Sequence, residues 1–184
     1  VSTNRRLRTD VIIIGIDPGV SGAMAMIDGD RVIAVRDLPT VVYGKLKWID
    51  ACELLAMLRK LTGARIRPAM RAYVEHTHAM PKMGVIAANS KGLTLGSVLA
   101  TLQVWGVSVQ LVSPQSWKRE FGLISPKSKD REKKLAALSR ARLLFPTADL
   151  DRHKDHNRAD ALLIAAFGAR AEAGQSSQLF EAAA

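Results

Sequence analysis

Apolar and polar positions alternate along this chain with two periods. Residues 11–17, VIIIGID, place five β-branched side chains in their first six positions and read as a buried strand. Over residues 22–27, Ala23, Ala25 and Ile27 alternate with Met24 and Met26, the period-two signature of a second strand. Asp28-Gly29 is a two-residue hairpin signal, and it leads into a third strand over 31–37. Helical spacing then takes over. Leu54, Leu55, Leu58 and Leu61 predict a helix over 49–61 that stops at Gly63. Residues 69–75 and 107–112 return to the strand pattern, separated by a small and apolar stretch, 84–105, that reads as helical despite Gly92 and Gly96. Ser125-Pro126 opens a polar helix to Leu144, with Leu135, Leu138 and Leu143 beneath its basic residues. Residues 158–173 form an Ala/Leu-rich helix, and GQSSQLFEAAA reads as a frayed tail.

The order β-β-β-α-β-α-β-α with a late helix predicts an α/β fold. Three antiparallel strands and two strands reached through helical crossovers make a five-stranded mixed sheet flanked by helices. One domain is expected over 11–173, with flexible segments at 1–10 and 174–184; 184 residues are enough for a sizeable core.

Composition narrows the class. The lone Cys52 excludes an internal disulfide framework and a multi-cysteine zinc site. No run approaches the roughly 18 apolar residues of a membrane span, and VSTNRRLRTD has no apolar signal region. The expectation is a soluble protein without a membrane partner. A cytoplasmic location is expected, with an organelle as the alternative. The formal net charge of +10 is unevenly placed: residues 115–145 hold nine Lys or Arg against three acids. A basic face of that kind favours a polyanion through phosphate contacts and counterion release, although a solvated helix face has the same composition.

The first strand ends on Asp17, followed by Pro18, Gly19 and Gly22, and the fourth ends on Glu75. An unpaired carboxylate at the edge of a core costs several kcal/mol. In open α/β sheets the C-terminal edge of the strands is where sites assemble. The last helix adds Asp160 with His156 four residues before it, on one face. Should that face meet the sheet edge, Asp17, Glu75 and Asp160 share a small volume, and cations or protons must offset them. Oxygen ligands without cysteine suit Mg²⁺ or Mn²⁺. Two such ions about 4 Å apart would activate a water and stabilise a leaving 3′-oxygen in phosphodiester hydrolysis. Each signal also has a plainer reading. Asp160 would be a dipole partner at a helix start, His153 and His156 surface histidines, and Asp155 or Asn157 an N-cap.

IGIDPGVSGA (14–23), YVEHTHAMP (73–81), SPQSWKREFGL (113–123) and DHNRADALLIAAFG (155–168) together resemble the RuvC-type Holliday-junction resolvases of the ribonuclease H-like superfamily. The resemblance spans about residues 11–171, and its last two motifs are closer to the phage and chloroplast enzymes than to the bacterial one. It implies Asp17, Glu75, His156 and Asp160 as a metal-binding catalytic set, Asp155 as a secondary metal candidate, and a homodimer acting on four-way DNA. It further implies that Lys118 stabilises charge on the scissile phosphate. Lys82, Lys91, Arg119, Lys127, Lys129, Arg131, Lys133 and Lys134 complete the expected DNA-binding set, with the 127–134 cluster tracking phosphates. Two positions depart from the bacterial pattern. Asn157 stands where those enzymes have an acid or His, three residues before the last Asp. The segment after Glu75 has no aromatic residue to wedge open the junction, leaving Met80 or Met83 for that role.

Three competing functions share parts of this pattern: a non-catalytic DNA-binding relative, a general ribonuclease H-like nuclease, and an actin-like ATPase or sugar kinase. The last also starts with a strand, an Asp and a Gly-rich hairpin, but needs about twice this length in two lobes.

Overall fold

A computed structural model describes residues 11–63, 69–76, 83–125, 129–152 and 154–182, side chains beyond Gly174 excepted. Three strands open the chain: β1 (Ile12–Asp17), β2 (Ala23–Asp28) and β3 (Arg31–Asp37). A separate hairpin follows, β4 (Thr40–Tyr43) and β5 (Leu46–Ile49), then helix α1 (Ala51–Thr62). Next come β6 (Met70–Glu75), α2 (Val85–Val104), β7 (Ser108–Val112), and the helices α3 (Pro114–Glu120), α4 (Asp130–Leu144) and α5 (His156–Ala182). The main sheet has the order β3-β2-β1-β6-β7. β1 pairs antiparallel with β2 and parallel with β6, and β6 pairs parallel with β7. This is the expected five-stranded mixed sheet flanked by helices.

Side-chain alternation splits the core into two layers. Ile12, Ile14, Ile16, Met24, Met26 and Val74 pack with Leu54 and Leu58 of α1 and Val98 and Leu102 of α2. Ile13, Ala23, Ala25, Ile27 and Tyr73 face the other way, onto α3, α4 and α5. On β1 the second set continues through Gly15 to Asp17, and on β6 from Tyr73 to Glu75. Both carboxylates therefore leave their strands on the α5 face.

α5 lies against β1 at unusually short range. A Cβ on Gly15 would overlap Ala161 O and sit 2.8 Å from Ala165 Cα, and one on Gly168 would sit 2.8 Å from Tyr73 Cγ. Glycines on the strand and helix, with Ala161 and Ala165 between them, let the backbones approach without side chains intervening. That proximity brings the first turns of α5 to the C-terminal edge of β1.

Several boundaries differ from the sequence expectation. The β4–β5 hairpin lies where no element is expected. α1 starts at Ala51, not at residue 49, because the Asp50 carboxylate caps it, accepting from Cys52 N at 3.0 Å and Glu53 N at 3.1 Å. α3 is an additional short helix, with Ser113 as its N-cap and Pro114 in its first turn. α4 begins at Asp130, and its buried stripe is Ala137, Leu138 and Ala141; Leu135 and Leu143 are exposed rather than beneath the basic residues. α5 continues past Ala173 to Ala182. α2 is long and apolar enough to cross a membrane by length and composition, a correction to the expectation that no run approaches that length. It packs on β5, α1 and β7.

Candidate active site

Asp17, Glu75 and Asp160 come together at the C-terminal edge of β1 and β6. Burial pushes the Asp17 carboxyl up to about 7, with repulsion from Glu75 adding and Lys118 and Lys91 opposing. Asp160 is likewise pushed up to about 7 by burial, then by Asp17 and Glu75, against Lys118 and Lys134. Mutual repulsion of this kind means three carboxylates are close enough to resist simultaneous ionisation. Among the described residues, no hydrogen-bonded structural partner offsets the Asp17 carboxyl; its charged neighbours are Glu75, Lys118 and Lys91.

Glu75 is held from outside. It is 9% exposed, and its Oε2 accepts a hydrogen bond from the indole Nε1 of fully buried Trp117 at 2.7 Å. Lys118, next along α3, places its Nζ 5.0 Å from the centroid of the same ring. One tryptophan thus orients an acid through its edge and a lysine through its face. Sequence reasoning assigned Trp117 no role toward Glu75; its place beside Lys118 in SWK was the available signal.

The turn after Asp17 is pinned to α5. Gly19 N donates to Asp17 O at 3.0 Å and Gly22 N to Gly19 O at 2.8 Å. Gly22 has no room for a Cβ, which would overlap Asp17 O. Asn157 Nδ2 donates to Ser21 O, and to Ser21 Oγ at 3.2 Å. The asparagine that replaces an acid or His three residues before Asp160 is therefore a latch between loop and helix.

Asp155 is fully buried and turned elsewhere. It accepts from Arg152 N and Arg152 Nε, each at 2.7 Å. Arg152 and Arg158 in turn both bind Asp37 at the end of β3, and Arg158 also reaches Asp149 at 2.8 Å. Those arginines hold the Asp37 carboxyl below its usual range, Arg158 most strongly. This network clamps the start of α5 to the sheet, and it leaves Asp155 a positioning task instead of the secondary metal role.

His156 is half-buried over a cavity of about 390 Å³ lined by Asp130, Arg131, Lys134, Leu135 and Leu138. Burial and then Lys134 lower its pKa, with Asp155 opposing, so it is mainly neutral at pH 7. Unlike Lys118 and Lys134, it is not among the groups that shift Asp17 or Asp160.

Arg119, Lys129, Arg131, Lys133 and Lys134 are exposed, the last four lying along the start of α4. Arg140 and Arg142, counted in the basic stretch, instead cap backbone carbonyls of Phe121 and Leu150. Lys91, on α2, lies on the far side of Asp17. Lys82, Lys127, Met80 and His153 lie outside the described residues; Met83 is half-buried just before α2.

Among the described residues no three His, Cys, Asp or Glu side chains are grouped to hold one ion by themselves. The donor set still fits a hard cation. Mg²⁺ is ordinarily held by one or two carboxylates with waters and substrate phosphates, not by an all-protein cage. The Asp17 and Asp160 carboxyls, raised to about 7 by burial and then by acidic neighbours, carry the charge imbalance that such a cation relieves.

Thermus thermophilus RuvC in complex with a Holliday junction substrate superposes with a TM-score of 0.56, covering 87% of this chain and 95% of that one at 22% identity. The chain has the RuvC fold. A second T. thermophilus RuvC structure gives a TM-score of 0.50 at 21% identity, over 89% of this chain and 98% of that one. This is the ribonuclease H-like architecture expected from the sequence. In sequence, the chain is 40% identical over 101 residues to the chloroplastic Holliday junction resolvase MOC1 of Chlamydomonas reinhardtii. That match covers 54% of this chain and 11% of the relative, so the chain aligns with a small part of that protein's length. No family model matches.

Proposed function

We propose that this chain is a metal-dependent endonuclease that resolves four-way DNA junctions. The observation that carries the reading is the convergence of Asp17, Glu75 and Asp160 beside Lys118, with the Asp17 and Asp160 carboxyls both pushed up by burial and by acidic neighbours. The RuvC fold and the 40% identity to a Holliday junction resolvase support the substrate class. The chloroplastic relative supports an organellar location as the alternative to a bacterial or phage cytoplasm.

Asp17, Glu75 and Asp160, with His156 from the adjacent turn of α5, are the residues that would hold Mg²⁺ or Mn²⁺, two ions per site. When bound, these ions supply an activated water and Lewis-acid stabilisation of the departing 3′-oxygen. Trp117 fixes the orientation of Glu75. Lys118 offsets the added charge on the phosphate in the transition state. The exposed lysines and arginine of α4 set the register of the duplex arms on the protein.

Resolution takes two symmetric cuts, which a twofold dimer provides. The exposed face of α2 offers the surface: Ile86, Leu93, Ala100 and Val104 with Gly92 and Gly96 between them. Nothing stands within 4 Å of a Cβ placed on either glycine.

Positioning and chemistry separate by mutation. Replacing Lys129, Lys133 and Lys134 by Gln should weaken binding to any DNA and lower the salt slope by about one per lost phosphate contact. Lys118→Ala should instead cut the single-turnover rate by about 10- to 1,000-fold with little change in affinity. Binding across a salt series and cleavage with enzyme in excess measure the two. Proportional loss of affinity and rate in Lys118→Ala would move Lys118 to the phosphate-tracking group.

A further inference from the structure

A second cavity, of about 470 Å³, opens beside Asp17 between the β1–β2 turn, the β4–β5 hairpin and α2. Its lining includes Lys45 and Lys47 of the hairpin and Ser90, Lys91 and Thr94 of α2. Among the described residues it holds three lysines and a single acid, Asp17. Lys47 N donates to Ser90 Oγ at 3.4 Å, which ties the hairpin to the helix and keeps both walls in register.

Thr94 supplies an independent observation. It is fully buried, and its Oγ1 has no hydrogen-bond partner among the described residues. A buried hydroxyl left unpaired is costly and rare. Thr101, on the same helix, takes the usual remedy and donates to Ser97 O at 2.7 Å. Thr94 forgoes that bond while lining a cavity rich in lysine.

We propose that this cavity binds a second backbone phosphate of the cleaved strand, adjacent to the scissile one, through Lys45, Lys47, Lys91 and the hydroxyls of Ser90 and Thr94. Asp17 belongs to both the cavity and the carboxylate cluster, so an anion seated there lies on the strand that crosses the active site. Lysine ammonium groups on two separate elements, with hydroxyl donors at the base, match the several oxygens of a phosphodiester. The inference rests on the resolvase reading and names a subsite for the same substrate.

Neutral methylphosphonates placed singly at the phosphates on either side of the cut, in a synthetic four-way junction, probe the subsite directly. At one position next to the cut, the wild-type protein should lose about 10-fold in affinity. Lys45→Gln/Lys47→Gln should bind unmodified junction more weakly, with a salt slope reduced by about one for the single phosphate lost, and the methylphosphonate penalty at that position should largely vanish. Thr94→Val should lower junction affinity about 10-fold while leaving the melting temperature unchanged or higher. A purely structural threonine would give the opposite pair of effects. Methylphosphonate penalties that multiply fully with the lysine substitutions would overturn the proposal. So would protection of the wild type by inorganic phosphate without any such coupling, which would indicate a site for free phosphate. A wild-type protein that neither binds nor cuts the junction would defeat the resolvase reading itself, an outcome distinct from either.

Discussion

Asp17→Asn should abolish cleavage, by at least about 1,000-fold, and at the same time make the metal-free protein more stable at pH 8. The first effect follows from removing a ligand charge where a cation must offset phosphate and carboxylates together, a larger loss than that of one transition-state donor. The second follows from linkage. The folded carboxyl is raised from 3.8 to about 7. Between those values the folded state binds more protons than the unfolded one. Stability therefore falls as pH rises from about 4 to about 7, and stays reduced above that. Asparagine removes that part of the slope, so in chelator the variant should melt several degrees higher than wild type at pH 8 and close to it at pH 4. Saturating Mg²⁺ should narrow the gap by stabilising the wild type alone. Junction affinity should hold or rise, because one negative charge facing phosphate is gone. Asp160→Asn should behave alike, since its carboxyl is likewise raised to about 7, by burial first and then by Asp17 and Glu75. A variant less stable than wild type at pH 8 in chelator would mean that Asp17 has a stabilising partner after all.

The second large effect is expected at Trp117→Phe. Phenylalanine keeps most of the buried ring but removes the indole N–H, so Glu75 Oε2 loses its 2.7 Å donor. Partners that orient a ligand typically contribute 10- to 100-fold in metal affinity or activity. Cleavage at limiting Mg²⁺ should fall by about that factor. The Mg²⁺ concentration for half-maximal rate should rise in step, and excess Mg²⁺ should restore much of the rate. A merely structural tryptophan would lower the melting temperature without shifting the metal requirement. Mg²⁺ titrations of the single-turnover rate, read beside melting curves, decide between the two.

The location of the site was legible because Asp17 and Glu75 interrupt runs that are otherwise fit for a core, at strand ends that a parallel β1–β6 pair places side by side. The choice among residues 155–157 was not legible from spacing. Successive helical positions turn by about 100°, and three consecutive polar residues at a helix start all satisfy a capping pattern. Only the tertiary partners separate them: Arg152 takes Asp155, and Ser21 takes Asn157. His156 instead lines the cavity against Arg131, Lys134 and Leu138 of α4. The β4–β5 hairpin escaped for another reason. Val42 and Tyr43 are 63% and 77% exposed, so the strand lacks an apolar face packed into the core that would show as alternation. With the hairpin unseen, Lys45 and Lys47 carried no signal. Gly15 read simply as a residue of β1, because its close contact with Ala161 and Ala165 depends on a helix 146 residues and more away in sequence.

Cleavage of an end-labelled synthetic four-way junction, beside duplex and RNA–DNA hybrid controls, tests the central claim most directly. With Mg²⁺ or Mn²⁺ the protein should place paired, symmetric nicks in opposite strands of the junction and leave both controls intact; in chelator it should bind the junction and cut nothing. Cleavage that persists in chelator, or that proceeds equally on duplex or hybrid, would contradict the account.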